Sequence, residues 1–107
     1  QYDQMAMAAY LKANATPEAI YAMCECFRAG FHIDRLHDAE NRRAGRQITC
    51  PTLIMWGDKG VVGKHFDVER IWRGWCSDPS FAPMPSGHFI PEEAPVAALA
   101  AIQNFLK

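Results

Sequence analysis

The side chain in this sequence best suited to moving a proton is His88. It follows Ser86-Gly87 directly after a candidate strand and precedes a helix that begins with acidic residues. In open α/β sheets, ligands and catalytic groups gather at the carboxyl ends of strands. An imidazole held there on a loop between packed elements is well placed to act as a general base, although it can equally cap a turn. The other three histidines read differently. His32 and His37 lie five apart near a helix start with no paired carboxylate motif, so they are expected as surface or capping residues. His65 falls in a Gly-rich loop and is expected to be exposed.

A base needs a nucleophile, and none is recognisable in these residues. There is no G-x-S-x-G and no G-x-x-x-x-G-K. The serines are Ser77, Ser80 and Ser86, none at a strand-to-helix elbow. Cys24 and Cys26 are two apart on an expected helix, so they point to different faces. With Cys50 and Cys76 they give no zinc-site spacing. The four cysteines are therefore expected as small buried apolar residues, reduced in a cytoplasmic protein, and no metal site is expected. Cys76 sits late in an amphipathic segment, which makes it a poor nucleophile.

Several elements must position these groups. Residues 2–13 carry Met, Ala, Tyr and Leu without Gly or Pro, which predicts a helix. Thr16-Pro17-Glu18 supplies a cap, a first-position proline and a first-turn acid for a second helix. On it Ile20, Met23, Cys24 and Phe27 share one face, and Gly30 is expected to close it. A third, mostly solvated helix is expected over 34–46, capped by Asp34 and ended by Gly45. The character changes at Ile48. The run Thr52-Leu53-Ile54-Met55-Trp56, bounded by Pro51 and Gly57, reads as a strand buried on both faces. A loop from Asp58 to Phe66 follows. Asp67 then caps a helix that sets Val68, Ile71, Trp72 and Trp75 on one side. Ser80 to Pro85 reads as a weaker strand because it carries Pro83 and Pro85. After the turn at 86–89, Pro95 opens a last helix with Val96, Leu99, Ile102 and Leu106 on one side.

The predicted order is helix, helix, helix, strand, helix, strand, helix. Its second half is a βαβ crossover with a closing helix, which implies a parallel strand pair and an α/β fold. The composition shift near 46–49 separates a helical part, 1–46, from an α/β part, 47–107. Two parallel strands make too small a sheet to stand alone, so the chain is expected to be the tail of a larger one. The sequence opens on Gln1, as a processed product or a fragment does, and shows no signal peptide there. Eleven Lys+Arg against 12 Asp+Glu give a formal net charge of −1, which argues against nucleic acid as a partner. Half of the residues are hydrophobic, a globular composition, yet no uncharged run is long enough to span a membrane.

Two blocks carry a resemblance. Pro51-Thr52-Leu53-Ile54-Met55-Trp56-Gly57, followed by Ser86-Gly87-His88-Phe89-Ile90-Pro91-Glu92-Glu93-Ala94-Pro95, looks like the C-terminal end of an α/β-hydrolase, with His88 matching the triad histidine. Trp56-Gly57-Asp58-Lys59-Gly60-Val61-Val62, Phe66-Asp67 and Ile71-Trp72-Arg73 resemble the haloacetate (fluoroacetate) dehalogenase family. So do Ala22-Met23-Cys24-Glu25-Cys26-Phe27-Arg28-Ala29-Gly30, Asp34-Arg35 and His37-Asp38. This pattern implies that 1–46 is the end of a helical cap and 47–107 the last two strands with their helices. Many α/β-hydrolases carry the triad acid four residues after the Trp of the W-G block, where this chain has Gly60. The dehalogenase family instead carries its acid after an earlier strand, and Asp58 is the weaker substitute here.

The resemblance implies attack by an Asp carboxylate on the carbon bearing the halogen, and hydrolysis of the resulting ester by water that His88 deprotonates. No metal or organic cofactor is implied. The implied partner is a small halogenated carboxylic acid, and a homodimer stays open. The family commonly has Tyr at the position of Phe27, a hydroxyl donor that helps hold the leaving halide, and an acid at the position of Cys26. Phe27 is thus a candidate substrate-binding residue that lacks the donor, which favours a larger halide or an ester or epoxide substrate, and a non-catalytic truncated domain that only packs or binds is the alternative of a different class. Packing with Ile20 and Met23 is the alternative role for Phe27.

Overall fold

The structure, a computed structural model, describes residues 2–107. The chain forms two compact units, Tyr2–Arg46 and Gln47–Lys107.

The first unit holds three helices: α1 Gln4–Ala13, α2 Pro17–Phe31 and α3 Ile33–Arg43. Side chains close their amino ends where short polar residues permit. Asp3 accepts from the Ala6 N–H at 2.9 Å, and Thr16 accepts from the Ala19 N–H at 3.2 Å. Pro17 takes the first position of α2 as expected. Two boundaries differ from expectation. Gly30 lies inside α2, which runs to Phe31 and ends at His32. Asp34 falls in the first turn of α3, because His32 occupies the cap position without a side-chain bond. Gly45, just past the Ala44 cap of α3, ends the helix with φ 65°, a left-handed conformation that costs a glycine little. No residue of these helices is buried.

The second unit runs β1 Thr52–Gly57, α4 Val61–His65, α5 Val68–Arg73, β2 Pro79–Met84, α6 Ile90–Glu93 and α7 Pro95–Phe105. The strands pair in parallel, with Thr52 opposite Pro79 and Gly57 opposite Met84. A bridge between Ile48 and Cys76 extends the pairing towards the start. Two short helices were not expected: α4 replaces most of the Gly-rich loop, and α6 precedes the last helix. Both are near one turn long, too short to show a periodic apolar face.

The core of this unit is Ile54, Val68 and Cys76, with Trp56, Trp75 and Phe81 packed against it. Ile54 and Phe81 are register partners on the same face of the sheet. Trp56 meets Phe81 edge-on at 6.4 Å, and the Arg73 guanidinium lies 4.7 Å from the Phe81 ring centre. Asp67 caps α5 as expected, accepting from the Arg70 N–H at 3.1 Å. Trp75 lies beyond the end of α5, so only the first part of the expected apolar face is helical. Helix α7 packs against β2 and buries Ala98. The strands are half-buried, with Ile54 and Gly57 the buried positions of β1, because two strands leave much of each face uncovered. Cys76 is buried, but Cys24, Cys26 and Cys50 are exposed, against the expectation of four buried thiols. A three-helix unit without a closed core has no interior to receive the first two.

The prolines of β2 are placed by the ladder. Thr52 donates to the Asp78 carbonyl and Asp58 to the Met84 carbonyl, so the even-numbered residues of β2 face β1. Pro79 and Pro83 therefore turn their missing N–H to the other edge, where no ladder bond is lost. The same alternation turns the N–H and C=O of Leu53 and Met55 away from β2. No other described strand pairs there.

Candidate active site

The parallel pairing brings the carboxyl ends of both strands to one side of the sheet, where two turns meet. Asp58 donates its N–H to the Met84 carbonyl at 3.0 Å, and Lys59 donates to the Ser86 carbonyl at 3.0 Å. The backbones approach so closely that a methyl group on Gly57 would overlap the carbonyl oxygen of Gly87. This is the physical reason for glycine at the end of the Trp-Gly block. Ser86 is 2% exposed, and its hydroxyl reaches only the Gly87 carbonyl at 3.5 Å. It packs the turn and is not presented as a nucleophile.

His88 stands on the exposed part of this turn. Its ring meets Phe89 edge-on at 5.0 Å. It also lines a pocket of about 190 Å³ with Trp56, Val61, Val62 and Ile90. Among the described residues no carboxylate hydrogen-bonds the imidazole. Asp58 lies in the neighbouring turn, exposed.

The acid that does engage this turn is Glu93. One carboxylate oxygen, Oε2, accepts from the Gly87 N–H at 2.6 Å, and the other, Oε1, accepts from the Phe89 N–H at 3.2 Å. The bond from Gly87, then that from Phe89, hold the Glu93 carboxyl below the usual carboxylate range, against a small desolvation effect; the charges of His88 and Lys59 add to the lowering. In the sequence Glu93 stands out only as part of the block from Ser86 to Pro95. The usable signal was its spacing, since an acid at the end of a one-turn helix can reach back to N–H groups four and six residues earlier.

The other expected site residue, Phe27, belongs to the first unit and is 71% exposed. It lines an open apolar groove of about 450 Å³ with Cys26, Gly30, Phe31 and Arg35. Ile20 and Met23, its alternative packing partners, are exposed among the described residues as well. His32, His37 and His65 are exposed, as expected. Among the described residues no three His, Cys, Asp or Glu side chains come together in a metal-binding arrangement. No helix among them is long and apolar enough to cross a membrane.

No family model matches the chain. An alpha/beta hydrolase assignment attaches to a solved Nostoc sp PCC 7120 structure that is 40% identical. It superposes with a TM-score of 0.90 over 99% of this chain and 36% of its own. The chain is the C-terminal portion of an α/β-hydrolase fold. Its two strands are accordingly part of a larger sheet. The chain is also 30% identical over 105 residues to the fluoroacetate dehalogenase of Burkholderia sp, covering 98% of this chain and 34% of the relative. It is 30% identical over 93 residues to the soluble epoxide hydrolase of Corynebacterium sp. (strain C12), covering 83% and 29%. The chain thus spans about a third of the length of the curated relatives it matches.

Proposed function

We propose that the whole protein is a hydrolase that displaces halide from a small 2-halo acid, with His88 as its water-activating base and residues 1–46 as the end of its cap. The observation that carries this reading is the place of His88. It lies on a turn at the carboxyl ends of two parallel strands, on the wall of a small apolar pocket. The similarity to a fluoroacetate dehalogenase over 98% of the chain supports the choice of reaction.

In the proposed chemistry a carboxylate oxygen from the remainder of the fold attacks the carbon bearing the halogen. The carbon–halogen bond breaks, and its electron pair leaves with the halide. Water then adds to the carbonyl carbon of the ester while His88 takes one of its protons. As that adduct collapses, its hydroxyl proton passes to the departing alkoxide oxygen. This releases the 2-hydroxy acid and regenerates the carboxylate, and His88 gives its proton to solvent. Phe27, the candidate substrate-binding residue, has no hydroxyl to hold a departing fluoride. Chloroacetate is therefore the better substrate on this reading.

The same absent donor, with the similarity to an epoxide hydrolase, favours a second reading in which the carboxylate opens an epoxide. The test is halide release from fluoroacetate and chloroacetate by the full-length protein, with His88→Ala alongside. Expected is release that collapses in His88→Ala while the covalent ester accumulates, visible as a mass increase on the protein. No halide from either acid, with diol formed from an epoxide, would move the reading to the second reaction.

A further inference from the structure

We propose that Glu93 is the positioning residue for His88, a carboxylate clamp that fixes the turn carrying the base. This rests on the reading of His88 as the base. The two N–H groups that Glu93 accepts from, Gly87 and Phe89, are the backbone neighbours of His88 on either side. One carboxylate therefore straddles the residue. The grip is reciprocal at one end, because the Glu93 N–H donates to the Phe89 carbonyl at 2.9 Å. Across the turn, Lys59 donates to the Ser86 carbonyl at 3.0 Å, so the segment 86–89 is held from the β1 side and the α6 side together.

Among the described residues the imidazole of His88 meets only the Phe89 ring, and the backbone of its turn is what these residues offer to place it. The segment from Pro85 to Phe89 has no regular structure that would fix φ and ψ by a ladder of its own. Both oxygens of Glu93 are engaged by the backbone, so it acts on His88 through the turn and is not the acid that orients the ring.

The test uses the full-length protein with Glu93→Gln, Glu93→Ala and His88→Ala. Two measurements are made: amide hydrogen exchange at Gly87 and Phe89, and the kcat and KM of halide release or epoxide opening. A carboxamide presents one acceptor oxygen, uncharged, in place of two, so Glu93→Gln cannot keep the two-oxygen arrangement and weakens the grip. Expected is faster exchange confined to the 86–89 segment in both Glu93 variants. With it, kcat should fall by about 10²-fold in Glu93→Ala at nearly unchanged KM, as for a misplaced catalytic group. If Glu93→Ala does not fold, Glu93→Gln carries the test with the smaller expected loss. Unchanged exchange at Gly87 and Phe89 would overturn the clamp. Faster exchange with unchanged kcat would overturn its positioning role. Activity that survives in His88→Ala would instead overturn the base assignment, and the exchange data would still decide whether the clamp exists.

Discussion

Charge on one exposed carboxylate governs the shape of the turn around His88. Glu93 titrates below the usual carboxylate range in the folded protein, so its grip on Gly87 and Phe89 is complete above the unfolded value. It is lost only as pH falls through the lowered folded value. The groups facing it are His88 and, from the turn after β1, Lys59, both of which favour the ionised form. Loss of the grip should therefore move the amide proton shifts of Gly87 and Phe89 together on the acid side of the usual carboxylate range. That movement should be absent in Glu93→Gln, and an NMR pH titration reads it directly. Gly57 is the second decisive residue. Gly57→Ala pushes a methyl into the Gly87 carbonyl and should destabilise the protein by roughly 1–3 kcal/mol, as overpacking does. Because the clash falls on the His88 turn, its turnover should fall further than that of a core variant of equal stability. Urea unfolding and halide release on the same samples make the comparison.

Among the elements, α5 is short and depends on its cap. Among the described residues Asp67 supplies the only side-chain hydrogen bond to its amino end, and Val68 beside it enters the core with Ile54 and Cys76. Asp67→Ala should cost about 1 kcal/mol in urea unfolding of the full-length protein and leave KM unchanged, since α5 lines no part of the His88 pocket. Strand β2 survives Pro79 and Pro83 because both sit where the ladder to β1 does not need their N–H. Their other consequence is an edge that cannot readily accept a further strand.

At the scale of the molecule the two sheet edges are unlike. The β2 edge is blunted by proline, while the β1 edge presents the N–H and C=O of Leu53 and Met55 with no described strand beside it. Such an edge recruits a partner strand. The isolated chain should therefore self-associate with concentration in sedimentation. It should also melt broadly, because a pair of strands and a three-helix unit without buried residues leave little core to unfold cooperatively. A sharp, concentration-independent melt of a monomer would contradict this. The chain should release no halide by itself, since the proposed displacement needs a nucleophile from the remainder of the fold. Measured release from the purified chain would refute that.

The sequence by itself determined the α/β class, the parallel pair, the caps Thr16 and Asp67, the stop at Gly45 and the turn that bears His88. These follow from local causes: apolar periodicity, a side-chain oxygen before a helix, a residue tolerant of positive φ. One-turn helices α4 and α6 escaped it because so short a segment shows no period. The extent of α2 past Gly30 escaped it too, because a glycine near a helix end does not compel termination. What only the tertiary structure decided is which groups meet. Gly57 abuts Gly87 because a parallel register brings residues thirty apart to one end of the sheet. Cys76 is buried while Cys24 and Cys26 are not, because only the second unit encloses a core. Glu93 finds the two N–H groups around His88 because α6 folds the chain back over the turn, a return that its spacing permits but does not compel.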